Sequence, residues 1–130
     1  ISNKLTKISG YISGLSPGEH GFHIHKNGDL TEGCKSACEH YNPFKLNHGG
    51  PNSTTRHVGD LGNITADENG IARFIMLDSI IKLRQPHSVI GRSFVVHKNK
   101  DDLGIGTGES LTTGNSGARL GCAVIGIASK

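Results

Sequence analysis

The chain has no tryptophan, one methionine and few aromatic residues, two tyrosines and four phenylalanines among its 130 residues. Stretches of strong helix formers are equally scarce, which makes helix at most a minor component. No apolar run approaches the roughly 20 residues needed to cross a bilayer, so a soluble chain with no membrane partner is expected. Ile1 to Gly10 lacks the basic-then-apolar layout of a secretion signal, and the sequence opens on Ile rather than Met, so any upstream address is not readable from it. There is no basic tract long enough to follow a nucleic-acid backbone. Lys and Arg number 14 against 11 Asp and Glu, a net charge of +3 that points away from nucleic acid and leaves a mild attraction for anions. Only three cysteines are present, with no close quartet of the kind that encloses a structural zinc.

What the chain has in quantity is glycine, 19 residues, and histidine, eight. Glycine at this level points to many turns between short strands. A length of 130 residues suits one domain with a real core, spanning residues 1–130. The prevailing period is two. From Gly21 to Lys26, Phe22 and Ile24 fall on one face and His23 and His25 on the other, because successive side chains of a strand point to opposite sides. Asp60 to Ala66 reads as a strand, Asp67 to Gly70 as a hairpin turn with Asn69-Gly70 supplying positive φ, and Ile71 to Asp78 as the returning strand. Ser88 to His97 alternates again, Leu120 to Ala128 is a Gly-punctuated apolar strand, and Leu5 to Leu15 shows a fainter alternation.

Two long segments, Asn27 to Arg56 and Lys98 to Ala118, have no sustained period and are rich in Gly, Asn, Pro, Ser and Thr. Loops of this length in a compact domain are usually functional or disordered. The first carries His40 and His48, and the second follows directly on His97, which favours function. Apart from His20 and His87, read as surface or turn residues, every histidine lies in a short phrase with ligand potential: His23-Ile-His25, Glu39-His40-Tyr41, His48-Gly-Gly, His57-Val-Gly-Asp60 and His97. Imidazole nitrogens with one carboxylate suit copper or zinc. Any one phrase arises readily by chance; His48, His57 and Asp60 alone make an open zinc set that still needs a ligand.

The phrases Gly21-Phe-His-Ile-His25, Gly33-Cys34, His40-Tyr-Asn-Pro43, His48-Gly-Gly-Pro51, Arg56-His-Val-Gly-Asp-Leu-Gly-Asn63, Val95-Val-His97, Asp101-Asp-Leu-Gly104 and Gly114-Asn-Ser-Gly-Ala-Arg-Leu-Gly-Cys122 together resemble the copper/zinc superoxide dismutase family. They run in its order and near its spacing from Gly10 to Ala128. The resemblance implies an all-β fold, a Greek-key antiparallel β-sandwich or flattened barrel of eight strands, for which that family is a standard example. It implies copper, cycling between Cu(II) and Cu(I), on His23, His25, His40 and His97, and Zn(II) on His40, His48, His57 and Asp60, with His40 bridging as imidazolate. The implied reaction oxidises one superoxide to dioxygen and reduces a second, with two protons, to hydrogen peroxide. His40 would exchange a proton in the cycle, Arg119 would attract and orient the anion, and Asp101 would hydrogen-bond the free ring nitrogens of His23 and His48. Read alone, Asp101 is an ordinary loop acid and Arg119 a strand-edge charge.

Further implications concern Cys34 and Cys122, which match the family's intrachain disulfide, and a homodimer whose contacts would include Ile125 and Ile127. A copper chaperone would be a loading partner. Cytosolic members of the family keep the disulfide, so a cytoplasmic location is expected, with an extracellular one kept open. There are departures. Cys38 stands where glycine is common and is read as a buried small hydrophobe or a reactive thiol. The segment containing Glu109 is shorter by about one residue, an ordinary loop variation, and Thr112 replaces a common lysine, which shifts charge guidance toward Arg119. Nothing corresponds to the family's N-terminal hairpin, so the final strand would keep an open edge and stability would fall. Two rival readings remain: a superoxide-dismutase-like domain of a copper chaperone, disfavoured by the absence of a Cys-x-Cys motif, and a structural zinc protein.

Overall fold

The computed structural model describes residues 5–129. Of the N-terminal segment read for a secretion signal, Ile1 to Lys4 lies outside the described residues, as does Lys130. The elements are β1 (Thr6–Ile12), β2 (Gly18–His25), β3 (Thr31–Cys34), a 3-10 turn at Lys35–Ala37, β4 (Asp60–Ala66), β5 (Ala72–Asp78), β6 (Ser93–His97) and β7 (Arg119–Val124). Six strands form an antiparallel sheet in the order β1-β5-β4-β2-β6-β7, so most neighbours are distant in sequence, as a Greek key requires. The all-β architecture is therefore as expected. The eight strands implied by the resemblance are not reached among the described residues, and β1 and β7 form the edges of the sheet.

The core grows from the alternation. Phe22 packs between Phe74 and Phe94, ring centroids 5.1 and 5.2 Å away, and Ile24, Leu61, Ile64, Ile81 and Val89 are buried around it. Each such side chain contributes about 1.5–3 kcal/mol when fully buried. Arg56, also buried, ties the first long loop to β5. Its guanidinium donates to Asp78 Oδ2 at 2.7 Å and to the carbonyls of Pro51, His57 and Val58.

Three boundaries differ from the sequence reading. The β4-β5 turn has positive φ only at Gly70, because Asp67 Oδ1 accepts the N–H groups of Asn69 and Ile71 and holds Asn69 out of the left-handed region. Beyond that turn the strands pair only at Ala66 and Ala72, since β4 turns to β2 and β5 to β1. Ser88 makes an isolated bridge with Lys82 and Val89 to Arg92 is a turn, closed by Arg92 N–H to Val89 O with Gly91 at φ 84, so β6 begins at Ser93. The last strand ends at Val124, although Ile125 still exchanges backbone bonds with Gly91 and Arg92.

Candidate metal centre

Strand β2 presents His23 and His25 on the face opposite Phe22 and Ile24, and the antiparallel β6 runs beside it, ending in His97. The first long loop is clipped to β2 by Tyr41 N–H to Ile24 O and Lys26 N–H to Glu39 O, both 2.8 Å, which sets His40 opposite His25. Gly59 N–H to Tyr41 O and Ile24 N–H to Gly59 O then bring in the segment carrying His57 and Asp60. Loops without sequence periodicity are thus fixed by backbone bonds to a strand that has it.

The outward-facing nitrogens of the imidazoles are anchored, so the inward ones converge. His25 Nδ1 donates to Cys38 O at 2.6 Å and His97 Nδ1 to Gly117 O at 3.0 Å, leaving their Nε2 lone pairs 3.3 Å apart. His23 Nε2 donates to Asp101 Oδ2 at 2.6 Å and His48 Nε2 to Asp101 Oδ1 at 2.7 Å. That leaves His23 Nδ1 and His48 Nδ1 buried without a hydrogen-bond partner among the described residues. His48 Nδ1 lies 2.9 Å from Asp60 Oδ1, but out of line for a hydrogen bond. His40 Nδ1 is 3.1 Å from both His57 Nδ1 and Asp60 Oδ1, and His57 Nδ1 is 3.3 Å from Asp60 Oδ1. Ligands at roughly 2.0 Å from a tetrahedral ion lie about 3.3 Å apart, so these separations fit an ion among His40, His48, His57 and Asp60. Lone pairs facing one another in a buried site are costly unless a cation lies between them.

Two donor sets meet the spacing a metal requires: His23, His25, His40 and His97, and His23, His40, His48 and Asp60, the atoms of each set lying within 4.8 Å of one another. His57 joins the second through its contacts with His40 and Asp60. Burial, reinforced by repulsion from His40, lowers the His23 pKa to about 3 and that of His25 to about 2. Burial lowers His97 to about 4 against the pull of its bond to Gly117, and burial also lowers His40. These rings are neutral near pH 7 and need not shed a proton to receive a cation. His48 goes the other way, to about 9, because Asp101 and Asp60 outweigh its burial. Asp60, despite burial, is held far below the usual carboxylate range by His40, His48 and His57; Asp101 is held at about 2 by His23 and His48.

Asp101 is fixed in turn by Asn63 on β4, whose Oδ1 accepts the Asp101 N–H at 2.7 Å and whose Nδ2 donates to the Asp101 carbonyl at 3.0 Å. Gly114, at φ 72, passes so close that a Cβ there would strike both the Asp101 carboxylate and His48 Nε2. Arg119 Nη1 donates to Cys34 O at 2.8 Å, and the guanidinium lines a cavity of about 280 Å³ with His25, His40, His97, Glu39 and Thr113. Cys34 and Cys122 form a disulfide, Cα atoms 5.7 Å apart, which joins the first long loop to β7. Cys38 is half-buried, its thiol accepting from Asn27 Nδ2 at 3.2 Å. Thr112 faces the same cavity and bonds Glu109, an exposed acid.

The surface or turn reading of His20 does not hold. It is 1% exposed, with Nδ1 2.8 Å from His97 O and Nε2 2.7 Å from Ser16 O. It steadies the backbone that carries His97. The register of β2 offered the signal, since alternation carried back from Phe22 sets His20 on the core face. His87 is a turn residue, at φ 67.

A family model described as copper/zinc superoxide dismutase matches residues 1–125. The chain is 61% identical over 128 residues to the extracellular superoxide dismutase [Cu-Zn] of Onchocerca volvulus, covering 95% of this chain and 64% of that protein. It is 62% identical over 124 residues to the superoxide dismutase [Cu-Zn] of Paramecium bursaria Chlorella virus 1, covering 94% and 66%. To superoxide dismutase [Cu-Zn] 4 of Dictyostelium discoideum it is 55% identical over 119 residues, covering 91% and 79%. The crystal structure of the clock protein EA4 superposes with a TM-score of 0.95 at 46% identity, covering 98% of this chain and 82% of that one. The chain thus spans about two thirds of the length of the first two relatives.

Proposed function

Because this chain belongs to the copper/zinc superoxide dismutase family, we propose that it converts two superoxide anions and two protons to dioxygen and hydrogen peroxide. His23, His25, His40 and His97 are the proposed copper ligands, and His40, His48, His57 and Asp60 the zinc ligands. When bound, copper supplies one-electron redox chemistry and zinc a fixed, redox-inert charge. His40 belongs to both sets: its Nδ1 is committed to the His57 and Asp60 side, which leaves Nε2 to face His25 and His97 and to take up and release a proton. Arg119, held by the Cys34 carbonyl, binds and orients the anion in the cavity. Asp101 locks His23 and His48 in the tautomers that turn Nδ1 inward.

The observation that carries this reading is the convergence of the His25 and His97 Nε2 lone pairs, 3.3 Å apart with no proton between them, beside the cluster in which His40 Nδ1 lies 3.1 Å from both His57 Nδ1 and Asp60 Oδ1. The test is metal analysis with peroxide measurement. About one copper and one zinc per chain with peroxide formed from superoxide supports it. Zinc alone, or copper passed to a partner without turnover, would indicate the structural or carrier reading.

A homodimer is proposed through the disulfide segment and the end of the last strand, where Ile127 is 87% exposed; a monomer in sedimentation would remove it. A copper chaperone is the proposed loading partner. On compartment, the cytoplasmic expectation gives way to an extracellular proposal. The Onchocerca volvulus and Haemonchus contortus relatives are named extracellular, whereas the Cys34–Cys122 bond does not separate the two compartments. No helix among the described residues is long and apolar enough to cross a membrane.

A further inference from the structure

A second cavity, of about 720 Å³, shares Glu39, His40 and Thr112 with the one beneath Arg119 but opens among different cations, Lys26, Lys45 and Arg92. Arg92 is held rigidly. Its guanidinium lies 3.7 Å from the centroid of the Tyr41 ring, Nε donates to Ser88 O at 3.1 Å, and Nη1 donates to Lys26 O at 2.8 Å. Nη2 has no partner among the described residues, so the planar fork keeps an unused donor in a fixed orientation. His87 is turned into the same lining by its left-handed backbone, and its ring packs edge-on to Phe44 at 4.6 Å. Lys26, Lys45 and Arg92 form no ion pair among the described residues, and Glu39 is the one acid in the lining. Three cations facing one acid, with one of them immobilised by stacking, leave an uncompensated positive field in a concave, partly apolar site.

We propose that this cavity binds a small inorganic oxyanion of the phosphate class, held by Arg92 with Lys26 and Lys45. The unused Nη2 of a fixed guanidinium offers charge-assisted N–H donors to such an oxyanion, and the two exposed ammonium groups supply charge that adapts to it. No basic tract extends from the cavity along the chain, which favours a compact anion over a polyanion. The cavity borders the proposed metal ligands His40 and His57 but makes no use of Arg119, and its test reads binding, not turnover, so it can fail while the dismutase reading stands.

The experiment is calorimetric titration of inorganic phosphate into the metal-loaded protein, repeated with variants. The expected result is saturable binding of about one phosphate per chain in the millimolar range, weakening as sodium chloride is raised. Removing both lysine charges, in Lys26→Gln with Lys45→Gln, weakens it about tenfold, and Glu39→Gln tightens it about two- to fourfold, as expected for single charges in a partly hydrated site. A gain in affinity cannot be ascribed to misfolding. Arg119→Gln, in the neighbouring cavity, changes the affinity by no more than about twofold. Loss of binding in Arg119→Gln would move the anion to the first cavity; that outcome, insensitivity to the lysine pair, or absence of saturable binding overturns the proposal.

Discussion

Asp101 orients two imidazoles with one carboxylate, and the consequence is specific to that geometry. An amide in its place accepts from one ring but presents a donor to the other. Asp101→Asn should therefore weaken zinc binding about 10- to 100-fold, read by chelator competition with the circular dichroism spectrum preserved; unchanged affinity would show that His48 is oriented by something else. His20 acts through the backbone. His20→Ala removes the ring that lies against the carbonyls of Ser16 and His97, the second of them at a buried contact, and should cost about 1–3 kcal/mol in urea unfolding. Arg119→Gln should lower kcat/KM and flatten its dependence on salt. Much of this was legible in the sequence, since the histidine phrases name the residues that meet in space. Arg56 and Asn63 bound a recognisable phrase and His20 has the core parity of β2, but their tasks, to satisfy or hold backbone groups, were not legible, because no motif announces a carbonyl in need of a donor.

Strand β2 is where the sequence speaks most plainly: its alternation divides Phe22 and Ile24 from His23 and His25 and so separates core from site. The long loops are silent because they have no period; their course is set by Arg56, Asp78 and the clip of Tyr41 to Ile24. Ser88 to Arg92 misleads because its buried Val89 alternates like a strand residue while lying in a turn. The disulfide couples two elements 88 residues apart, and breaking it should cost about 4–5 kcal/mol on the chain-entropy account. It also frees the Cys34 carbonyl that seats Arg119. Reduction of a Cys38→Ser protein, followed by urea titration, should show the loss; equal stability with and without reductant would refute it.

Across the whole molecule, the net charge of +3 is small, and Lys26, Lys45, Arg92 and Arg119 line the two cavities that share Glu39. The edge strands β1 and β7 carry exposed apolar residues, Tyr11 on one and Leu120 and Val124 on the other, beside Ile75 and Leu77 of β5. Folding and metal binding are coupled because the ligand sets bring together distant segments, so stripping the metals should lower the melting temperature in calorimetry and restoring copper and zinc should raise it. The central claim is two dissimilar cations side by side, with His40 between them. It is tested most directly by crystals of protein given excess cupric and zinc salts, with anomalous scattering collected at both absorption edges. The account predicts copper among His23, His25 and His97, and zinc among His48, His57 and Asp60. A site bounded by residues 23, 25 and 97 that stays without copper would contradict it.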